Sequence, residues 1–356
     1  SLISIIFLFK YFKFWKKDKI ILFLLIFLFY GLALTFCNNF SQSFKEVQNY
    51  FIGWLFPFLL GYAIINKEQK IKLLKLYIII FSFTLFFGFL AYFNIIPNEF
   101  SYIYFTQDSR LAVICNHTVF GAKCSFILAM LIVLFLFMNN NKNKYMISAG
   151  ILFYMSALLL SGTRACYIST FVVFLLTILF YTFNKGNPVK GIFFIIFMVV
   201  LSLSFYYFNP VLHKRLNNTN IKTDSSLVQR IDIYKHGLQL LKNYKLFGYG
   251  PNNSIKQEGN IYNLAHFHNI YLQMILDFGI VGFFLFILII FFVLKKTLLL
   301  YRQTGSILYL MLFFAWISIL ISQLFDCFFR SSFFAGQCFW ITGLILADDK
   351  NRSLPL

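Results

Sequence analysis

Charged side chains are scarce in this chain, and acidic side chains are the scarcest. Only 12% of its 356 residues are charged, with 12 Asp and Glu against 31 Lys and Arg, whereas 60% are apolar. Soluble domains average about 25% charged residues, so this composition excludes an ordinary soluble protein. Segments of about 20 apolar residues can cross the hydrocarbon core of a membrane, and such segments recur along the chain. We therefore predict a polytopic integral membrane protein.

The hydrophobic segments predict a fold made of helices. Only helices and closed barrels span lipid, and the alternating segments of about ten residues that form barrel strands are absent from the sequence. We expect an all-α helical bundle of about 11–12 transmembrane helices, including a weaker candidate at 1–15 and allowing for a first helix that begins before Ser1. The clear spans are predicted near 20–37, 50–65, 73–96, 119–138, 145–160, 165–183, 189–208, 270–294, 306–325 and 333–347.

The sequence also lacks the usual patterns for metal binding and nucleophilic catalysis. Its six cysteines include no Cys-x-x-Cys pair, and we interpret them as small packing residues. The loops predicted to be external contain no Asp-x-Asp motif, and the chain has no Gly-x-Ser-x-Gly or His-Glu-x-x-His motif. We therefore predict no metal ion and no cofactor.

Lysine clusters recur at every second turn between the predicted spans. Cytoplasmic loops are enriched in Lys and Arg, so these clusters predict the loops that face the cytoplasm and leave the alternate loops outside. Lysines at helix ends also contact anionic membrane lipid, which accounts for much of the net charge of +19. The clusters lie at 16–19, 67–75, 142–144, 185–190, 295–302 and 350–352.

A long polar segment at 209–267 interrupts the hydrophobic runs and is predicted to be external. Loops of this length in compact proteins usually have a function or are disordered. We therefore divide the chain into N-terminal transmembrane helices at 1–208, this external loop at 209–267, and C-terminal transmembrane helices at 268–356.

Part of the external loop is predicted to be an amphipathic helix that starts near Ser226. Its apolar residues recur at helical spacing, and such a helix can lie on the membrane surface and present Arg230 to a lipid-linked anion. The apolar stripe consists of Leu227, Ile231, Tyr234, Leu238 and Leu241.

Five of the seven arginines lie in segments predicted to be external. The guanidinium group binds phosphate at two points and stays charged, so these arginines indicate an anionic partner. Nucleic acid is excluded as that partner because the cations lie at membrane level on the outer face. The five residues are Arg110, Arg164, Arg215, Arg230 and Arg330.

Predicted helix N-termini near 119, 165, 270 and 333 point outward, beside several of these arginines. Helix N-termini expose unpaired N–H groups and bind phosphate readily. Ser161-Gly162-Thr163-Arg164 forms a short turn of this kind, and Ser161 and Thr163 are additional candidates for binding. We predict that these groups bind a diphosphate. The alternative is that Arg164, Arg110 and Arg330 contact lipid headgroups.

His268 lies at the start of a predicted membrane span, next to Asn269. A neutral imidazole can take a proton from a hydroxyl near pH 7, so His268 is the candidate general base. His266 and Asn269 are secondary candidates. The alternative is that both histidines only cap the helix. Asp277, within the same span, is either functional or simply hydrated.

Four segments resemble, in the same order, the motifs of the O-antigen ligase and polymerase superfamily. The resemblance implies a GT-C-type glycosyltransferase of the inner membrane with its active site facing the periplasm, in which Arg164 and Arg230 bind the donor diphosphate and His268 is the general base. The segments are Arg110-Leu111 with Asn116-His117 and Gly121, Ser161-Gly162-Thr163-Arg164-Ala165, Arg230 with Gly248-Tyr249-Gly250, and His268-Asn269-Ile270-Tyr271-Leu272-Gln273 with Gly279 and Gly282.

The resemblance also implies the substrates. The donor is an undecaprenyl diphosphate-linked glycan and the acceptor is the lipid A-core oligosaccharide, in a metal-independent transfer that inverts the anomeric centre. The nearest alternative is an O-antigen polymerase, which extends the lipid-linked glycan. A flippase or other transporter of lipid-linked glycans is an alternative of a different class, but it would need charged residues deep within several spans.

Overall fold

The computed structural model describes residues 18–37, 40–64, 67–96, 110–113, 115–138, 141–185, 225–242, 246–256 and 266–347, together with residues 196, 199, 200 and 207. Regular secondary structure in this part of the chain is helical. The α-helices are α1 (Lys19–Phe36), α2 (Phe40–Tyr50), α3 (Phe56–Tyr62), α4 (Lys67–Tyr92), α5 (His117–Phe137), α6 (Asn141–Ser161), α7 (Arg164–Lys185), α8 (Ser225–Lys242), α9 (Ile270–Thr304), α10 (Ile307–Ser322) and α11 (Ser332–Leu346). A π-helix joins α2 to α3 (Phe51–Leu55), and 3-10 turns lie at Ser254–Lys256 and Phe328–Arg330.

Six of the helices in the described residues are long and apolar enough to cross a membrane, namely α1, α4, α5, α6, α7 and α9, while α10 and α11 are shorter apolar helices. The prediction of an all-α, polytopic membrane protein is confirmed. The predicted span at 50–65 is instead divided between the π-helix and α3, since Pro57 has no N–H to donate to the preceding turn. The spans predicted at 1–15 and 189–208 lie outside the described residues, apart from residues 196, 199, 200 and 207.

Side-chain caps fix the starts of the predicted outward-facing helices. The Asn116 side chain accepts from the Val119 N–H at 2.9 Å before α5, and the Asn269 side chain accepts from the Leu272 N–H at 3.0 Å before α9. Ser331 caps α11. Short polar side chains satisfy N–H groups that have no partner within the helix. The predicted helix starts near 119, 165, 270 and 333 agree with the observed starts within three residues.

The helices form two compact units that do not follow chain order. The described residues of Ser1–Leu76, Gln229–Gln303 and Gln323–Leu356 form the first unit, and those of Tyr77–Val228 and Thr304–Ser322 form the second. The boundaries at 208 and 267 predicted from sequence separate transmembrane helices from an external loop, and this division stays a prediction.

In the first unit, α3 packs against α11 at a close backbone contact. A Cβ atom at Gly61 or at Gly343 would overlap main-chain atoms of the partner helix, so only glycine fits at these positions. Trp54 is fully buried nearby and donates from its indole nitrogen to the Phe329 carbonyl at 3.1 Å. This aromatic core supports the 3-10 turn that precedes α11.

In the second unit, α5 packs against α6, α7 and α10. Most of α5 is buried, and its Ser125 hydroxyl lies 2.8 Å from Thr170 Oγ1 on α7 and 2.6 Å from Ser318 Oγ on α10. Hydrogen bonds between hydroxyl groups stabilise the contacts between these helices. They matter in lipid because the hydrophobic effect does not drive helices together there.

The Gly248-Tyr249-Gly250 turn packs against a kink in α9. Gly279 adopts φ 67° and ψ −173° inside α9, a conformation that glycine tolerates and other residues rarely adopt. The freed carbonyls of Leu276 and Asp277 accept from the N–H groups of Tyr249 and Gly250, each at 2.9 Å. These glycines therefore serve backbone packing, which is what fixes the segment after α8 onto α9.

Candidate active site

Two histidines and one aspartate meet in the first unit where α9 begins. His266 Nε2 lies 3.0 Å from Asp326 Oδ1, and His268 Nδ1 lies 3.5 Å from the same oxygen. The centroids of the two imidazole rings are 4.3 Å apart. Asp326 is buried, whereas the His266 and His268 side chains are 29% and 27% exposed. The carboxylate therefore lies beneath two rings that remain open to solvent or substrate.

Hydrogen bonds between two chain segments fix this cluster. The Ile270 N–H donates to the Gln323 carbonyl at 3.1 Å, and the Asn269 side chain donates to the Leu324 carbonyl at 3.1 Å. The Cys327 N–H donates to Asp326 Oδ1 at 2.8 Å. Asn269, a secondary candidate from sequence, thus both caps α9 and connects its start to the segment that carries Asp326.

His268 itself has a strained backbone, with φ 51°. A positive φ is uncommon for a residue other than glycine, and such conformations persist only where the surroundings enforce them. Here the Tyr234 hydroxyl donates to the His268 carbonyl at 2.9 Å, and the Phe267 N–H donates to the Gln273 side chain at 3.0 Å. These contacts hold the backbone of His268 in place, so its side chain starts from a fixed position beside Asp326.

The Asp326 carboxyl is ionised in this setting. Burial by itself would raise its pKa, but interaction with the His266 and His268 rings outweighs burial and holds the pKa of Asp326 below its usual range. A buried carboxylate beside an imidazole orients the ring and stabilises the imidazolium that forms when the ring accepts a proton. Asp326 was not identified from sequence, although it is an acid four residues before Arg330 in a predicted external loop.

Arg230 lies on α8, in the same unit as His268. It is half-buried and precedes Tyr234 by one helical turn. Burial raises the pKa of Tyr234 to about 12, and the positive charge of Arg230 opposes this rise. Because the Tyr234 hydroxyl contacts the backbone of His268, α8 is anchored to the candidate base through this side of the helix.

The observed helix α8 confirms the prediction of a helix near Ser226, but part of the predicted apolar stripe was wrong. Ile231 and Leu238 are 39% and 57% exposed, whereas Ile233 is buried. The helix packs through a different face, since Ile233 joins a core with Tyr249, Ile255, Phe267 and Leu276.

Arg330 has acidic and amide partners. Its Nε donates to Glu46 Oε1 at 2.7 Å, and its Nη2 donates to Asn252 Oδ1 at 2.8 Å. Burial would lower the pKa of Arg330, but Glu46 outweighs this effect and raises it. The guanidinium therefore joins α2, the 246–256 segment and the turn before α11.

Asp277 is fully buried within α9 and has hydroxyl and amide partners. It accepts from the Ser254 hydroxyl at 2.5 Å and from the Gln273 side chain at 2.6 Å. Of the two alternatives for Asp277, the hydrated one does not hold, because the 3-10 turn at Ser254–Lys256 covers the side chain.

The second unit contains Arg110, Arg164, Ser161 and Thr163. The Ser161 hydroxyl donates to the Leu158 carbonyl at 2.6 Å, and the Thr163 hydroxyl donates to the His117 carbonyl at 3.0 Å. Both hydroxyls thus shape the turn between α6 and α7, and Arg164 is the half-buried first residue of α7.

Arg110 reaches the same turn through the segment that precedes α5. Its Nη1 lies 2.5 Å from His117 Nε2, and the Leu111 N–H donates to the Leu160 carbonyl at 3.0 Å. A Cβ atom at Gly121 would lie 2.7 Å from the Thr163 hydroxyl, which explains the glycine there. The structure thus brings Arg110 to the turn that precedes Arg164 within this unit. Arg215 lies outside the described residues.

Residues 149–287 match the family model for O-antigen ligase. This match supports membership of the O-antigen ligase and polymerase superfamily. The matched range contains Arg164, Arg230 and His268, while Arg110 and Asp326 lie on either side of it. A comparison with curated proteins gives no significant match.

The match to this family model, together with the apolar helices, indicates a multi-pass protein of the bacterial inner membrane. It indicates a glycosyltransferase-like activity in lipopolysaccharide biosynthesis that uses lipid-linked glycan and lipid A-core substrates in general.

Proposed function

We propose that this protein is an O-antigen ligase that transfers a glycan from undecaprenyl diphosphate to the lipid A-core oligosaccharide at the periplasmic face. The observation that carries the proposal is the pairing of His268 with a buried carboxylate at the start of α9. A proton acceptor of this kind suits attack by a sugar hydroxyl, which is a poor nucleophile until it loses its proton.

His268 acts as the general base in this proposal. Its Nδ1 carries the proton that faces Asp326, which leaves the lone pair on Nε2 for the acceptor hydroxyl. As the hydroxyl proton moves to Nε2, the hydroxyl oxygen forms a bond to the anomeric carbon. General base catalysis of this type contributes about 10²–10⁴ in rate. Asp326 acts through His268 and is a positioning residue.

The donor loses its diphosphate in the same step. The bond between the anomeric carbon and the phosphate oxygen breaks, and the electron pair leaves with undecaprenyl diphosphate, so one displacement inverts the anomeric centre. Arg230 and Arg164, with Arg110 as a further candidate, bind the diphosphate and stabilise its growing negative charge. Removal of one such donor of hydrogen bonds costs about 10²–10³ in rate.

The secondary candidates have supporting roles in this proposal. Asn269, Ser161 and Thr163 hold the turns that carry His268 and Arg164, through the hydrogen bonds given above. Arg330 stabilises the fold through Glu46. Arg215 is proposed as a donor contact on the grounds of its charge and its position in the long loop.

Complementation of a ligase-deficient strain tests this function. The wild-type chain should restore lipid A-core that carries long glycan, whereas His268→Ala should not, with normal amounts of protein in the membrane. His236→Ala is the matched control, because His236 lies on α8 and its ring stacks on Phe267 with centroids 6.3 Å apart. Lipid A-core with glycan of wild-type length in the His268→Ala strain would refute the assignment of His268 as the general base.

The same kind of complementation experiment distinguishes a ligase from a polymerase. If the chain instead restores glycan length in a strain that attaches only one repeat to the core, then the protein is the polymerase. The chemistry at the donor is common to both enzymes, and only the acceptor differs.

A further inference from the structure

Two histidines converge on one carboxylate oxygen, and the proposed transfer uses only one of them. His266 Nε2 is closer to Asp326 Oδ1, at 3.0 Å, than His268 Nδ1 is, at 3.5 Å. A general base needs one oriented imidazole and one carboxylate. His266 is therefore left without a part in the transfer, although it lies in the middle of the site.

We propose that His266, His268 and Asp326 form a binding site for a transition-metal dication such as Zn²⁺, and that an ion bound there inhibits the transfer. Two imidazoles and a carboxylate are a ligand set that zinc uses in proteins. Bonds of about 2.0–2.2 Å place the ligand atoms of a tetrahedral zinc site roughly 3.3–3.5 Å apart. The three ligand atoms here all lie within 4.8 Å of one another, so small side-chain rotations complete the site.

The ligands are also held in place and accessible. The Cys327 N–H fixes Asp326 Oδ1 at 2.8 Å, and Asn269 ties the segment with the histidines to the segment with Asp326. The His268 Nδ1 atom itself is buried, so an ion reaches it past the two rings, whose side chains are 29% and 27% exposed, and keeps a water in its fourth position. Nitrogen ligands favour zinc-like ions over Mg²⁺ and Ca²⁺, which prefer oxygen.

The inhibition follows from the chemistry of one imidazole ring. An ion on His268 Nδ1 takes the lone pair of that nitrogen, so the neutral ring carries its proton on Nε2. Nε2 is the atom that accepts the acceptor's proton, and it then has no lone pair to offer. The effect on transfer rests on the proposed function, whereas ion binding does not.

Binding is tested first, with no glycan substrate present. The full chain, purified without a histidine tag and with Cys37→Ser because Cys37 is the exposed cysteine, is titrated with Co²⁺ and followed by visible absorption. One ion per chain is expected, displaced by Zn²⁺. Loss of a group that only supports a metal ligand costs about 10–100-fold in affinity. His266→Gln and Asp326→Asn remove proposed ligands themselves, so each should weaken Co²⁺ binding at least about tenfold.

His236→Gln is the control and should bind Co²⁺ as the wild-type chain does. Thermal unfolding and gel filtration verify that each variant is folded. His266→Gln and Asp326→Asn each remove one proposed metal ligand and therefore test the site independently. Unchanged affinity in both ligand variants, or equal weakening in His236→Gln, would overturn the proposal.

Inhibition is tested second, in a reconstituted transfer assay. Zn²⁺ should stop transfer by the wild-type chain and by His236→Gln, and EDTA should restore it. In His266→Gln, the Zn²⁺ concentration that halves the remaining activity should rise at least about tenfold, in line with the loss of affinity. Full activity, or stimulation, with the ion bound would overturn the inhibitory role. A metal-free wild-type chain that shows no transfer would count against the proposed function, because binding is measured separately.

Discussion

Replacing Asp326 with Asn removes the charge that His268 needs while its ring takes up a proton. The amide keeps the shape of the carboxylate, so the main change is electrostatic. A unit charge pair at 3.5 Å is worth about 4–5 kcal/mol at an effective dielectric constant of about 20. The His268 side chain is 27% exposed, and solvent screening therefore reduces this value to about 2–3 kcal/mol. We expect kcat to fall about 30- to 150-fold.

The loss should appear in kcat and not in KM. A general base becomes charged as it takes up the proton, so the carboxylate stabilises the transition state more than the ground state. The assay is transfer from a lipid-linked donor by the purified chain in lipid nanodiscs. Asp232→Asn is the matched control, since Asp232 is a 40% exposed acid on α8 beside Lys235. Wild-type kcat in Asp326→Asn, or a change in KM alone, would refute this account of the base.

Three further predictions concern the arginines and metal dependence. Arg330→Met should destabilise the protein by about 3–5 kcal/mol in thermal unfolding, because it leaves the Glu46 carboxylate buried without its partner, and adding Glu46→Gln should recover much of the loss; an unchanged melting temperature would contradict the ion pair's role. Arg164→Ala and Arg230→Ala should each lower transfer about 10²–10³-fold, with partial rescue by Lys, and wild-type rates would exclude them as donor ligands. Transfer should persist in excess EDTA, and a strict requirement for added divalent metal would contradict the arginine-based scheme.

The helices and their starts followed from local patterns in the sequence. Apolar runs predicted the membrane helices and their starts, and the structure places caps at three of these starts, on Asn116, Asn269 and Ser331. His268 was identified because a histidine at the start of a membrane helix is unusual by itself. Each of these signals lies within a few residues of the feature it predicts.

Other contacts of these side chains join residues that are far apart in the sequence, so no local pattern predicts them. Asp326 is 60 residues from His266, and Glu46 is 284 residues from Arg330. Both pairings depend on how helices pack, which hydrophobic periodicity does not specify. The exposed face of α8 was mistaken for the same reason, because the core beneath the helix selects Ile233 over Ile231.

Single-turnover transfer by the purified chain most directly tests the claim that His268 takes the proton of the acceptor hydroxyl. With saturating lipid-linked donor and core acceptor, His268→Ala should form glycosylated acceptor about 10²–10⁴-fold more slowly than the wild-type chain, while donor binding stays unchanged. An equal rate of product formation by His268→Ala would contradict the account.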